Sequence, residues 1–257
     1  MRNRLMALLV MSTVVLLLSG ITLAQAPSDQ SSGGSHDLSG IWRIERRPGQ
    51  GAAGIPGGTA PPLTAWGKEK FAATKPGYGP RAAPGGNDPD LHCDPTSVPR
   101  AELMAALLPF EIVQTPDRVH MFFEWQHMWR EIWVNRREHV NYGPTWLGDS
   151  VGWWEGDTFV VDTVGFNDKS WLDSEGDIHS DKMHLVERYQ RVDKNTMKLN
   201  FTIEDPKAYT QPWVSDTKIY TLSSPAKGPL QEVFCAYDEE QSFTEKIRDP
   251  AVPNWKK

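Results

Sequence analysis

From Phe110 onward, turn-forming clusters cut the chain into short apolar segments, and that rhythm limits the fold more than any other feature. Glu111–Gln114 and Val119–Trp125 flank Thr115-Pro116-Asp117-Arg118, and His127–Val134 closes on Asn135-Arg136-Arg137. Ser150–Trp154 and Thr158–Val164 flank Glu155-Gly156-Asp157, while His184–Val192 and Met197–Ile203 flank Asp193-Lys194-Asn195-Thr196. Val214–Leu222 and Gln231–Tyr237 complete the series, and Ile41–Glu45 precedes it. Short runs bounded by turn residues read as strands and hairpins. About ten strands joined mainly by short turns predict an all-β chain that closes into an antiparallel β-barrel, because closure removes exposed edges.

One long excursion interrupts the pattern. Residues 48–109 form a loop and helix insertion: 48–62 and 75–99 are rich in Gly and Pro, Thr64 caps a short helix over Ala65–Thr74, and a second helix over Arg100–Leu108 ends at Pro109. Loops of this length in a compact domain often serve as lids or wrap a sheet.

The first 26 residues read as a signal peptide, with Arg2 and Arg4 before the apolar run Leu5–Leu18 and Ala24-Gln25-Ala26 at the cleavage position. The run is short for a membrane span, which needs about 20 residues. Residues 27–36 read as a disordered leader and 37–257 as a single barrel domain in a periplasmic or secreted protein. The whole chain has a formal net charge of −6 and no basic face, which argues against a nucleic-acid partner. No second apolar segment of spanning length follows, and the oligomeric state is left open. Cys93 and Cys235 in an oxidising compartment are expected to pair, with two free thiols or a metal ligand at Cys93 beside His92 as the competing readings.

Seven of eleven tryptophans fall between Phe122 and Trp171, interleaved with ionisable groups. Tryptophan is spent on cores or on ligand-contacting walls, so Trp125, Trp129, Trp133, Trp153, Trp154 and Trp171 are candidate cavity-lining residues. On one strand His127, Trp129, Glu131 and Trp133 would share a face, and Met128, Arg130, Ile132 and Val134 the other. If the tryptophan face is inward, His127 and Glu131 are buried with it. If the other is inward, Arg130 either anchors an anionic or carbonyl group or pairs with a carboxylate across the sheet and holds register.

The longest irregular stretch after the hairpins begin is 165–183, followed by His184 and Glu187. It carries Asp173, Asp177 and His179 on a loop that can hold functional groups on a rigid scaffold. His179 or His184 beside a carboxylate can act in proton transfer, or the set can bind a divalent metal; a wholly structural role is the third reading. The candidate catalytic set is therefore His179, His184, Arg130, Glu131 and His127, with no organic cofactor expected. His36 and His139, in the leader and in a charged turn, are expected to be solvated.

Gly40-Ile41-Trp42 resembles the Gly-x-Trp signature of lipocalins and related calycins, and implies calycin-like architecture only, since a long insertion follows the first strand. A second resemblance covers most of Leu38–Glu240. Its segments are Phe110–Arg118, Trp129-Arg130-Glu131-Ile132-Trp133, Trp154–Thr158 through Asn167-Asp168, and His179-Ser180-Asp181 leading to His184 and Glu187-Arg188-Tyr189. These are similar to a family of exported proteins found in several copies in soil-type bacteria, which implies export and one domain and carries over no catalytic residues. The expected function is binding of a small apolar or aromatic molecule in a Trp-lined cavity. The alternatives are a cofactor-independent or metal-assisted lyase, isomerase or hydrolase acting on such a molecule, and a carbohydrate-binding protein that stacks sugars on Trp.

Overall fold

The computed structural model describes residues 36–44, 60–77 and 79–251, so the expected signal peptide and nearly all of the leader lie outside the described residues. Ten strands share one sheet: β1 (Gly40–Ile44), β2 (Phe110–Gln114), β3 (Arg118–Phe123), β4 (Trp129–Trp133), β5 (Asp149–Glu155), β6 (Thr158–Val164), β7 (His184–Arg191), β8 (Thr196–Glu204), β9 (Trp213–Val214) and β10 (Lys218–Leu222). Their order is β10-β1-β2-β3-β4-β5-β6-β7-β8-β9, and β10 also pairs with β8, which closes nine strands into a barrel and leaves β9 as an extra strand.

Two departures from the expected antiparallel meander have clear causes. β4 and β5 run parallel, with Ile132 beside Ser150 and Trp133 beside Val151, so the sheet is mixed. A parallel pair needs a crossover rather than a hairpin, and residues 134–148 supply it. The expected strand 214–222 is split because Ser215 interrupts it: its N–H donates to the Phe201 carbonyl at 2.9 Å, and its Oγ accepts from the Phe201 N–H at 2.8 Å. β9 and β10 therefore line the same edge of β8, with Val214 opposite Thr202 and Lys218 opposite Leu199.

Two further expectations are corrected. Gln126 and His127 have φ of 55° and 49°, a turn conformation, so the strand expected from His127 begins at Trp129. Gln231–Tyr237 is not a strand; Val233 makes a single bridge to Trp125, and Tyr237 opens helix α3 (Tyr237–Phe243). The acidic run Asp238, Glu239 and Glu240 in its first turn suits a helix N-terminus. The earlier helices are α1 (Ala65–Ala73), capped by Thr64 Oγ1 accepting from the Gly67 N–H at 3.0 Å, and α2 (Arg100–Leu103), which tightens into a 3₁₀ turn through Ala106 instead of reaching Leu108. Among the described residues no helix is long and apolar enough to cross a membrane.

The barrel has two unlike ends. Tight turns join β2 to β3, β5 to β6 and β7 to β8 at one of them. The insertion, loop 165–183 and the β8–β9 connection all meet the other. There α2 lowers Glu102 into the lumen among Trp42, Phe110, Met121, Phe159, Leu185, Phe201 and Tyr220, each of them almost free of solvent exposure. Gly152 faces the same interior: a Cβ there would stand 2.5 Å from Phe159 Cζ and 2.8 Å from Ile132 Cγ2.

Candidate functional site

The lumen holds a closed charge network. Arg130 is 2% exposed and its fork grips the Glu187 carboxylate, Nη1 at 2.9 Å from Oε1 and Nη2 on Oε2. The rest of the guanidinium is spent on Ser150 Oγ at 3.1 Å, Thr163 Oγ1 at 2.8 Å and Glu102 Oε1 at 3.3 Å. Tyr189 Oη lies 2.6 Å from Glu102 Oε1 and 2.8 Å from Glu187 Oε1. Burial, and then the neighbouring Glu187 charge, push the Glu102 carboxyl well above the usual range, which favours its neutral form. Three ionisable groups thus sum to neutrality, and Arg130 has no donor left to anchor a ligand. Of the two faces weighed for this strand, the Arg130 face is inward, and the cross-barrel carboxylate is Glu187.

Around the outer rim of the loop-bearing end, carboxylates and imidazoles alternate. His139 Nδ1 meets Asp149 Oδ2 at 3.1 Å and its Nε2 meets Asp162 Oδ1 at 2.8 Å. His184 Nε2 meets Asp162 Oδ2 at 2.9 Å and its Nδ1 meets Glu204 Oε2 at 3.1 Å. Arg136 forks onto Asp149 from the crossover. Both ring nitrogens of His139 and of His184 are engaged with carboxylates, so neither histidine presents a free base to a substrate. His139 is a clamp on the crossover, not the solvated turn residue expected. A further shallow cleft of about 210 Å³, lined by His139, Tyr142 and Asp149, adjoins it.

The hydrogen bond to Asp162 raises the His184 pKa above the ordinary imidazole value. A group that binds its proton more tightly when folded stabilises fully below its unfolded pKa, about 6.5, and the contribution fades as pH rises through the folded value. His184→Gln should therefore lower the unfolding free energy by about 0.5–1 kcal/mol near pH 6, the scale of partly exposed ion pairs, and by less near pH 8.5. Equal losses at both pH values in urea titrations would show that the charge contributes nothing.

The third histidine is placed differently. His179, on loop 165–183, is 3% exposed, and its Nδ1 lies 3.1 Å from the Ser180 carbonyl oxygen. A carbonyl only accepts, so Nδ1 bears the hydrogen and Nε2 keeps its lone pair, which faces Ser170 Oγ at 3.0 Å. The Ser170 hydroxyl donates to it. Burial holds His179 below the ordinary imidazole pKa, against the opposing effects of the Ser180 carbonyl, Asp205 and Asp168. Ser180 is itself anchored by Asp205, which accepts from its N–H at 2.6 Å and its Oγ at 2.9 Å. On the same loop, burial and the nearby Asp173 push Asp177 up to about 9, so it is protonated at neutral pH.

Ser170 and His179 line a cleft of about 180 Å³ between this loop and α1. Trp66 and Trp171 form its aromatic walls, Lys70, Asp168 and Lys169 its charged rim, and Ala73, Thr74, Asn87 and Ile178 complete it. The residues singled out in the sequence do not otherwise converge. Trp129 is 56% exposed on the outside. Trp133 lies under Arg118 and Arg136, with guanidinium carbons 4.0 and 5.1 Å from its ring centre, and Trp153 lies under Arg137 at 4.7 Å. Trp125 donates to Asp90 and Thr96, and Trp154 packs on Phe159 beneath a stacked His36, which stays exposed to solvent as expected. His127 stacks on Phe234, and Glu131 sits outside beside Arg118 and His120. Only Trp171 and His179 of the predicted set reach the cleft. Ser170 and Trp66 were missed; Ser170 lies nine residues before His179 in a loop without strand periodicity, and only the fold brings their side chains together. Among the described residues, no group of three or more His, Cys, Asp or Glu side chains is arranged to hold a metal ion. No protein-family model, no curated protein and no solved structure matches this chain.

Proposed function

We propose that this barrel acts outside the cytoplasm and binds a small aromatic molecule, one ring with a short polar substituent, in the cleft between α1 and loop 165–183. The observation that carries the reading is the pairing of two indole walls, Trp66 and Trp171, with an inward polar pair, Ser170 and His179. Ligand sites combine apolar walls with a few placed polar groups in this way. The scale agrees, since an apolar cavity of roughly 150 Å³ accepts benzene and this cleft offers about 180 Å³. Lys70 and Lys169 on the rim favour a substituent that is anionic or carries a carbonyl. The export reading is supported by the Cys93–Cys235 bridge, since such bonds persist in oxidising compartments, and by the basic and apolar pattern of the first 26 residues. A carbohydrate platform would need an open aromatic row. Trp129 and its cross-strand neighbour Phe122 are exposed, whereas Trp133 and Trp153 are covered by arginines.

Benzoate and methyl benzoate should bind saturably, quench part of the tryptophan emission and register by calorimetry. Trp66→Ala and Trp171→Phe should each weaken the affinity by roughly tenfold, about 1.4 kcal/mol. Failure of both probes to bind the parent protein, or unchanged affinity in both variants, would retire the cleft as the site.

A further inference from the structure

We propose that Ser170 and His179 form a nucleophile and base pair, making the cleft a hydrolytic site for small aryl or alkyl esters. This rests on the binding reading of the same cleft and adds chemistry to it. Three observations carry it. The Ser170 hydroxyl points its hydrogen at the lone pair of a neutral imidazole, at 3.0 Å, within the reach that base-assisted attack requires. The far nitrogen of that imidazole is oriented by a fixed acceptor, the carbonyl of Ser180, a residue whose N–H and hydroxyl both donate to buried Asp205. Both reacting side chains line a cleft with room for a substrate. His139 and His184 lack this arrangement, because carboxylates occupy all their ring nitrogens.

In the reaction, Ser170 Oγ bonds to the ester carbonyl carbon as its proton passes to His179 Nε2. His179 Nδ1 keeps its hydrogen and donates it to the Ser180 carbonyl throughout, and the Asp205 and Asp168 carboxylates favour the imidazolium that forms. Lys70 and Lys169 on the rim add positive charge near the cleft, which favours the developing negative charge. The carbon–alkoxy bond then breaks and the departing oxygen takes the proton from Nε2. Water attacks the acyl-serine, gives a proton to Nε2, and the acyl carbon–Oγ bond breaks as that proton returns to Ser170. The sum is ester plus water to acid plus alcohol, with no other reagent.

Phenyl acetate and 4-nitrophenyl acetate test turnover, and a fluorophosphonate tests the nucleophile directly. The parent protein should hydrolyse the esters and take up one phosphonyl group on the peptide containing Ser170, with benzoate protecting it. Ser170→Ala and His179→Gln should each lower kcat by at least about a hundredfold, the scale of a lost base. Because labelling is read on the parent protein, the test survives a variant that fails to fold. Absence of turnover, labelling elsewhere than Ser170, or full turnover in Ser170→Ala overturns the inference. Benzoate binding without turnover or label removes the dyad chemistry and leaves the binding reading intact. Labelling at Ser170 without benzoate binding does the reverse.

Discussion

Replacing Arg130 with Met should lower the unfolding free energy by about 3–5 kcal/mol, the usual result of removing one partner of a buried ion pair. Arg130 and Glu187 are both almost fully buried, and the guanidinium also satisfies Ser150, Thr163 and one oxygen of Glu102. Without it, the Glu187 carboxylate faces Tyr189 and Glu102 alone. Glu102→Gln should behave differently and cost less than about 1 kcal/mol, since Glu102 is already neutral and an amide of similar shape replaces it. The pH dependence separates the two further. A carboxyl whose folded pKa is raised loses stability as pH climbs above its unfolded value, about 4.3, so removing it should help the variant relative to the parent between about pH 5 and about pH 8. Urea titrations of both variants at those pH values check this. Equal losses in the two would mean that Glu102 does not hold the proton.

Loss of the Cys93–Cys235 bridge is expected to have the next largest effect. The two Cα atoms are 5.4 Å apart across 142 residues of sequence, and closing a loop of that length limits the unfolded chain by about 5 kcal/mol in the entropic model. The bond ties the turn Pro89–His92 to the segment entering α3, beside Val233, which bridges to Trp125, and Gln231, whose N–H donates to Glu124 at 2.8 Å. The double Cys→Ala variant should lose about 3–5 kcal/mol, part of the ceiling being offset by residual structure in the reduced chain. A loss below about 1 kcal/mol in equilibrium unfolding would show that the carboxy-terminal segment detaches without unsettling the barrel.

Most strands, the turn positions and the cysteine pairing were legible because each rests on local or compositional rules. Thr115–Arg118, Glu155–Asp157 and Asp193–Thr196 are turns whatever surrounds them, and alternation along β7 alone separates His184 from Glu187. The Thr64 cap of α1 is a local signal of the same kind. What alternation leaves undetermined is the sign of a face. Both faces of β4 carry bulky apolar and charged groups, and only the partners waiting across the lumen, Glu187 from β7 and Glu102 from α2, make the Arg130 face the inner one. The parallel entry of β5 was equally hidden, because a crossover of 134–148 and a plain loop have the same composition.

The cleft shows the same division. The sequence by itself determined that 165–183 is a loop with His179 and Trp171 on it, and that about ten short strands joined by turns close on themselves, which removes exposed edges. Tertiary structure alone decided that this loop lies against α1, that His139 and His184 are consumed by Asp149, Asp162 and Glu204, and that His179 keeps a lone pair for Ser170. The reason is physical: a histidine's role depends on which atoms face its two nitrogens, and those atoms arrive from chain segments whose separation along the sequence carries no periodic signal.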